Sequence, residues 1–214
     1  MKRLAALLLS CALIAQPAQA DKVTDAIAEQ LTTAAYRDDA ETMRDLLAGG
    51  VDPNLRDPKG STALTLAIHY GNSRVVQVLL ASSKIDVDMP NGANETAIML
   101  AALHADLPLV KRLYKLRAQI NRPGWTPLHY AASGTDEGVS DWLLQQGADI
   151  NARAPNGSTP LMMAAKYGPY DLAPKLLAAG ADPKLRNEQG LTAADFAQAA
   201  GRDELQKLLH SAER

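Results

Sequence analysis

Five times this 214-residue chain writes nearly the same heptad. The copies are Thr62-Ala63-Leu64-Thr65-Leu66-Ala67-Ile68, Thr96-Ala97-Ile98-Met99-Leu100-Ala101-Ala102, Thr126-Pro127-Leu128-His129-Tyr130-Ala131-Ala132, Thr159-Pro160-Leu161-Met162-Met163-Ala164-Ala165 and Thr192-Ala193-Ala194-Asp195-Phe196-Ala197-Gln198. Successive threonines lie 34, 30, 33 and 33 residues apart. A period near 33 residues predicts a stack of like units rather than one globular core, each unit burying its apolar face against its neighbours. Such a stack offers a surface for holding a partner rather than a pocket for chemistry.

Residues 121–153 show how one unit is built. Thr126 is placed to accept from the free N–H groups of a helix start. Pro127 follows at the first helical position, where its missing N–H costs nothing. Leu128, Ala131 and Ala132 then recur at helical spacing as one apolar stripe, and the alanines let neighbouring helices approach closely. Ser133-Gly134-Thr135 interrupts the helix. A second helix follows with Val139, Trp142, Leu143 and Leu144 inward, and Gly147 ends it, because this kind of C-terminal cap needs a left-handed residue.

The heptad of this unit, its second helix and Gly147-Ala148-Asp149-Ile150-Asn151 together resemble the ankyrin repeat, and the resemblance covers nearly all of the chain beyond residue 20. It implies a mainly α fold, an ankyrin-repeat solenoid of six stacked helix-turn-helix units with projecting hairpin-like loops. The first and last units act as polar caps. The repeat domain spans 21–214, with units at about 24–56, 57–90, 91–120, 121–153, 154–186 and 187–214. The first unit lacks the threonine heptad but keeps Leu31, Ala34 and Ala35 in step with Leu64, Ala67 and Ile68. The last ends with Leu205, Leu208 and Leu209 under a cover of polar residues.

Departures from the pattern predict uneven stability along the stack. Ser82-Ser83-Lys84 stands where Gly-Ala is expected. Arg117 takes a glycine position, where left-handed geometry costs a non-glycine residue about 1–2 kcal/mol. The loop from Ile120 to Trp125 is three residues short. Pro174 lies several residues into a second helix, and an interior proline costs about 3 kcal/mol.

The first twenty residues have a different character. Lys2 and Arg3 precede an apolar run, Leu4 to Ala15, broken only by Ser10, and the segment ends small-x-small at Ala20. That is the pattern of a cleaved secretory signal, cut after Ala20. The run is shorter than the roughly 20 apolar residues of a permanent span, so no stable membrane insertion is expected after cleavage. Cys11, the only cysteine, sits inside this segment. Leu8-Leu9-Ser10-Cys11 loosely resembles a lipobox, so lipid anchoring at Cys11 stands as an alternative. Cleavage leaves 20 basic residues against 24 acidic ones and no basic block, so nucleic acid is not an expected partner. The expectation is a periplasmic monomer, with secretion or a lipid anchor as the alternatives.

Reactive constellations do not appear: there is no nucleophile elbow, phosphate loop or paired metal motif. Asp52, Asp149 and Asp182 recur at one place per unit, which is turn chemistry. His129 takes the histidine place of the family heptad, which implies a ring bracing the turn. His69 and His104 end first helices one position out of register, without the third and fourth ligands that a zinc site uses. No catalytic residue, metal or cofactor is expected.

The resemblance also implies where a partner binds: on the loop tips just before each threonine, and on the exposed side of the first helix seven and eight residues after it, along a concave face. Counting from the threonines gives Lys59, His69 and Tyr70; Glu95 and His104; Arg122 and Trp125; and Asn156, Lys166 and Tyr167. Interface hot spots favour Trp, Tyr and Arg. Trp125 stands where other units carry Ser61, Glu95, Ser158 and Leu191, and its spacing fits either a hot spot or a cover over the shortened loop. Trp142 is read as core.

The whole pattern points to a non-catalytic scaffold or adaptor that binds a folded protein in the periplasm. Similar exported bacterial ankyrin proteins imply a link to oxidative-stress defence, with a periplasmic catalase or stress protein as partner. The alternative is a secreted effector or a toxin-neutralising, immunity-like binding protein.

Overall fold

Residues 17–214 are described by a computed structural model, with side chains from residue 22 onward. Residues 1–16, which hold Cys11 and most of the expected export signal, lie outside the described residues. The chain divides into two compact units, one ending at Thr96 and the other running from Ala97 to Arg214.

The first unit contains α1 (Pro17–Tyr36), α2 (Ala40–Ala48), α3 (Ala63–His69) and α4 (Ser73–Leu79). Helix α1 packs on α3, and α2 on α4. Leu31, Ala34 and Ala35 are buried with Ala63, Leu64, Ala67 and Ile68, so the residues in step along the sequence form one core seam. Polar bonds join the two repeats at their turns. Asp38, in left-handed geometry at φ 51°, accepts from Val75 N and Arg74 Nε, both at 2.9 Å. Asn72 Nδ2 donates to the carbonyls of Ala35 and Tyr36 at 2.7 and 2.9 Å. The first repeat therefore caps the second helix of the next.

The second unit contains α5 (Ala97–Leu103), α6 (Leu107–Lys115), α7 (Pro127–Ser133), α8 (Gly138–Gln145), α9 (Pro160–Tyr167), α10 (Leu172–Ala178), α11 (Ala193–Ala199) and α12 (Asp203–Ala212). The first helices α5, α7, α9 and α11 stack in chain order, and each packs on the second helix that follows it. Alanines make the stacking close: Ala101, Ala102, Ala131, Ala132, Ala164, Ala165 and Ala197 are all buried. Among the described residues there is no β-strand, and one isolated antiparallel bridge joins Arg56 and Thr62 in a projecting loop.

The repeated polar residues do local work. Thr62 Oγ1 accepts from Thr65 N at 3.2 Å, and Thr159 Oγ1 from Met162 N at 3.4 Å, each capping a helix start. The recurring aspartates cap loop backbone: Asp52, Asp86, Asp149 and Asp182 each accept from the N–H two residues on at 2.9 Å. Asn54, Asn121 and Asn151 accept from the backbone of the next loop, at Asp86, Asp149 and Asp182 respectively. Side chains thus sew each projecting loop to its successor within its unit.

Arg117 is left-handed at φ 73°, as its glycine position predicts. Ser82-Ser83-Lys84 avoids that geometry: its extra residue allows a different turn, closed by Ser82 N to Leu79 O and Ile85 N to Ser82 O. Two expectations are corrected. Pro174 is not interior, because α10 starts at Leu172 behind the N-cap Asp171, so Pro174 is its third residue. The first bond back to the cap carbonyl is made by Lys175 N at 3.2 Å, and the missing N–H had no intrahelical partner to lose. Trp142 is not core: it is half-buried on α8, edge-to-face with Tyr114 of α6 at 5.2 Å between ring centroids. The helical spacing that placed it inward did not anticipate an aromatic partner on the preceding second helix.

Candidate protein-binding face

In the first unit the expected residues fall on a loop tip and on the end of α3. Lys59 is exposed at the tip of the loop 57–61, whose backbone is drawn together by Asp57 Oδ1 accepting from Lys59 N at 3.0 Å and Ser61 N at 2.8 Å. Glu95 is half-buried and accepts from Asn91 Nδ2 at 2.8 Å. Tyr70 is 52% exposed, and its ring stands edge-on to His69 at 5.0 Å and to Tyr36 at 4.9 Å. Tyr36 was not picked out by counting, because its repeat has no threonine from which to count.

In the second unit Trp125 is half-buried at the entry to α7. Its ring meets His129 edge-on at 5.2 Å and Tyr130 at 6.4 Å. Beneath it His129 is 1% exposed. Its Nδ1 lies 3.2 Å from Thr126 N and 2.9 Å from Thr126 Oγ1, and its Nε2 lies 3.0 Å from the carbonyl of Ser158. A backbone N–H only donates and a carbonyl only accepts. The ring is therefore the neutral Nε2–H tautomer, with Nδ1 as acceptor. Burial pushes its pKa down to about 4, against the opposing pull of the Ser158 and Ala152 carbonyls. Both nitrogens are committed to backbone, so His129 is a brace between two repeats and not a base.

Trp125, Tyr130 and His129 share an open cleft of about 200 Å³ with Leu103, Ser133 and Met163. Leu103 comes from the end of α5, Tyr130 and Ser133 from α7, and Met163 from α9. One turn beyond Met163, Lys166 is half-buried, with Nζ 5.0 Å from the Tyr167 ring centroid and 5.9 Å from that of Phe196. Both distances are within cation–π range. Tyr167 is 53% exposed. Tyr170, also exposed, lies 5.3 Å from the Arg202 guanidinium.

His104 is exposed just past α5, and Arg122 is half-buried in the short loop. Asn156 is exposed, but its Oδ1 accepts from Ser158 N at 3.1 Å and its carbonyl from Glu188 N at 3.0 Å, so its polar atoms hold the loop. The structure therefore gathers Lys166 and Tyr167 at the end of α9 and sets Trp125 over the neighbouring cleft. Counting had passed over Tyr130 and Met163, the fifth residue of each heptad, which sequence assigns to the scaffold. The signal that would have found them is size: both are bulky and lie on the helix face opposite the alanines.

Among the described residues no group of three or more His, Cys, Asp or Glu side chains could hold a metal ion. Within the same residues no helix is long and apolar enough to cross a membrane.

A stack of helix pairs with hairpin-like loops and a side-chain-lined first-helix face defines a repeat scaffold of the protein-binding class. The family model for ankyrin repeats in three copies matches residues 31–123, 83–154, 99–187 and 137–213, and the chain belongs to the ankyrin-repeat family. It is 35% identical over 159 residues to the nuclear factor NF-kappa-B p105 subunit of Gallus gallus, covering 71% of this chain and 16% of that protein. It is 30% identical over 204 residues to Rabankyrin-5 of Homo sapiens, covering 81% and 18%. The chain thus spans less than a fifth of the length of these relatives. Among solved structures it is similar to a chain in the complex of a predatory endopeptidase from Bdellovibrio bacteriovorus with an immunity protein. The TM-score is 0.71 at 28% identity, covering 85% of this chain and 97% of that one.

Proposed function

We propose that the chain is a non-catalytic adaptor, exported to the periplasm, that binds a folded protein through the exposed side of its first helices and the adjoining loop tips. The observation that carries this reading is the cleft roofed by Trp125, an apolar recess between first helices of successive repeats with an aromatic and cationic margin at Lys166 and Tyr167. Aromatic anchors set in recesses are the groups on which interface energy concentrates. His129, the one histidine of the cleft, is consumed as a brace, which supports binding over turnover. The test is capture of partners from a cell-envelope extract by the wild type and by a Trp125→Ala, Tyr167→Ala double variant, read by mass spectrometry. Capture is expected to fall at least tenfold while the melting temperature stays within a few degrees. Undiminished capture would place the binding face elsewhere. A catalase or another stress protein among the captured species would extend the reading to oxidative-stress defence. Fractionation with N-terminal sequencing tests export, and Met1 retained on the mature chain would refute cleavage after Ala20.

One observation favours an immunity-like role as the second reading. The likeness to a chain in the endopeptidase–immunity complex runs over 97% of that chain, whereas the match to the curated relatives covers a small part of each. Under this reading the partner is a peptidase held inactive. Inhibition of a co-encoded or co-purifying peptidase, lost in the same double variant, separates it from a plain adaptor.

A further inference from the structure

The cleft in the second unit is specific enough to say what it holds. Its volume, about 200 Å³, suits one bulky side chain, since a cavity of about 150 Å³ holds a benzene molecule. Its walls are largely apolar: Leu103 is 36% exposed at one rim, Met163 is half-buried at the other, and the Trp125 and Tyr130 rings close the sides. The Ser133 hydroxyl on the rim already donates to the carbonyl of His129 at 2.9 Å. The His129 ring is satisfied by Thr126 and Ser158. These two side chains therefore have little left for a polar occupant to bond.

Electrostatics sets the margin. Lys166 is three residues from Met163 on the same helix, and positions three apart share a face. Its ammonium rests on two aromatic rings, and among the described residues no carboxylate is paired with it, although Lys175 and Lys207 each have one, in Glu137 and Glu204. Lys166 is thus a cation held in place beside an apolar recess, with no anion beside it among the described residues.

We propose, resting on the protein-binding reading above, that this site recognises an extended segment of the partner carrying a bulky apolar side chain beside an aspartate or glutamate. The apolar group, Leu, Met or Phe, enters the cleft under Trp125, and the carboxylate pairs with Lys166. Aromatic rings beside the pair lower the local dielectric and strengthen it.

The experiment uses the full chain as bait against a displayed library of random linear peptides. The expected result is enrichment of an apolar residue adjacent to, or one removed from, Asp or Glu. Binding of the enriched peptide to Lys166→Glu should fall at least tenfold, and reselection on that variant should turn the preference from acidic to basic. Leu103→Lys, which places a charge at the rim of the cleft, should also weaken binding tenfold. Both substitutions lie on the surface, so an unchanged melting temperature confirms the fold. Enrichment without acidic residues, binding that survives Lys166→Glu, or no enrichment at all would overturn the proposal. If partner capture is lost in the Trp125/Tyr167 variant but intact in Lys166→Glu, the adaptor reading stands and this recognition rule fails.

Discussion

Acidification should unfasten the second unit through one residue. His129 is neutral in the folded chain because Nδ1 accepts from Thr126 N and Nε2 donates to the Ser158 carbonyl. Adding a proton at Nδ1 would set an N–H against an N–H in a buried site. Burial holds the folded pKa at about 4, whereas an unfolded histidine titrates near 6.5. Between these values the unfolded chain binds a proton that the folded chain refuses, so stability rises with pH across the window and is lost as pH falls through it. The stabilisation is fully present above about pH 6.5, and going from pH 7 to pH 4.5 should remove about 2.5 kcal/mol. Carboxylates also respond to acid, so the assay is differential: urea unfolding of wild type and His129→Gln at pH 7, 6, 5 and 4.5. The variant is expected to be less stable at pH 7 by about 1–2 kcal/mol, having lost the fitted brace. It should lose about 2.5 kcal/mol less than the wild type on acidification, so that the two curves converge or cross near pH 5. Parallel curves would refute the buried neutral ring.

Three substitutions test the backbone, two at irregular positions and one at a close helix approach. Arg117→Gly should stabilise by up to about 1 kcal/mol, the relief of left-handed strain at φ 73° less the entropy of glycine; in a domain of this size that raises the melting temperature by about 2–4 °C, and a fall would show that the Arg117 side chain contributes more than its backbone costs. Pro174→Ala should leave urea stability unchanged or lower it by about 0.5 kcal/mol, because the proline sits in the first turn and restricts the unfolded chain; a gain near 3 kcal/mol would mean it is a helix breaker after all. Gly168→Ala should cost about 1–3 kcal/mol, since a methyl there would lie 2.5 Å from the carbonyl oxygen of Ala132; thermal melting at unchanged stability would mean that α7 and α9 are less closely packed than they stand.

The period made the scaffold legible because every copy of a scaffold residue meets the same demand. A threonine opens each first helix from the second repeat onward, alanines face the stack, and an aspartate caps each of the loops at 52, 86, 149 and 182. Repetition carries no information about where a helix absorbs an exception. Pro174 was read as a defect by position in the period, but the helix start moved to suit it. Trp142 was assigned by helical spacing alone, and its partner Tyr114 lies on another repeat. The site was legible only in part for the same reason. Counting from the threonines found Trp125, Lys166 and Tyr167, which vary between copies. It missed Tyr130 and Met163, whose column in the heptad reads as scaffold, and Tyr36, whose repeat lacks the threonine.

The irregularities differ in what the fold does with them, and that difference argues for the cleft. Left-handed backbone absorbs Arg117, and a later helix start absorbs Pro174; neither alters the first-helix face. The three-residue deficit between Ile120 and Trp125 is not absorbed in this way. In the second unit the loops at 154–158 and 187–191 each close with a hairpin bond, Ala154 N to Ser158 O at 2.9 Å and Asn187 N to Leu191 O at 3.0 Å. The short loop keeps the left-handed glycine of those two loops, Gly124 at φ 89° matching Gly157 at φ 74° and Gly190 at φ 77°, but reaches its threonine with three residues fewer. Trp125, the last residue before Thr126, sets its ring edge-on to His129 at 5.2 Å and lines the cleft beside it. One side chain therefore both covers the His129 brace and walls the cleft. Indole suits both, because its edge packs on the imidazole below while its other surface remains for an occupant.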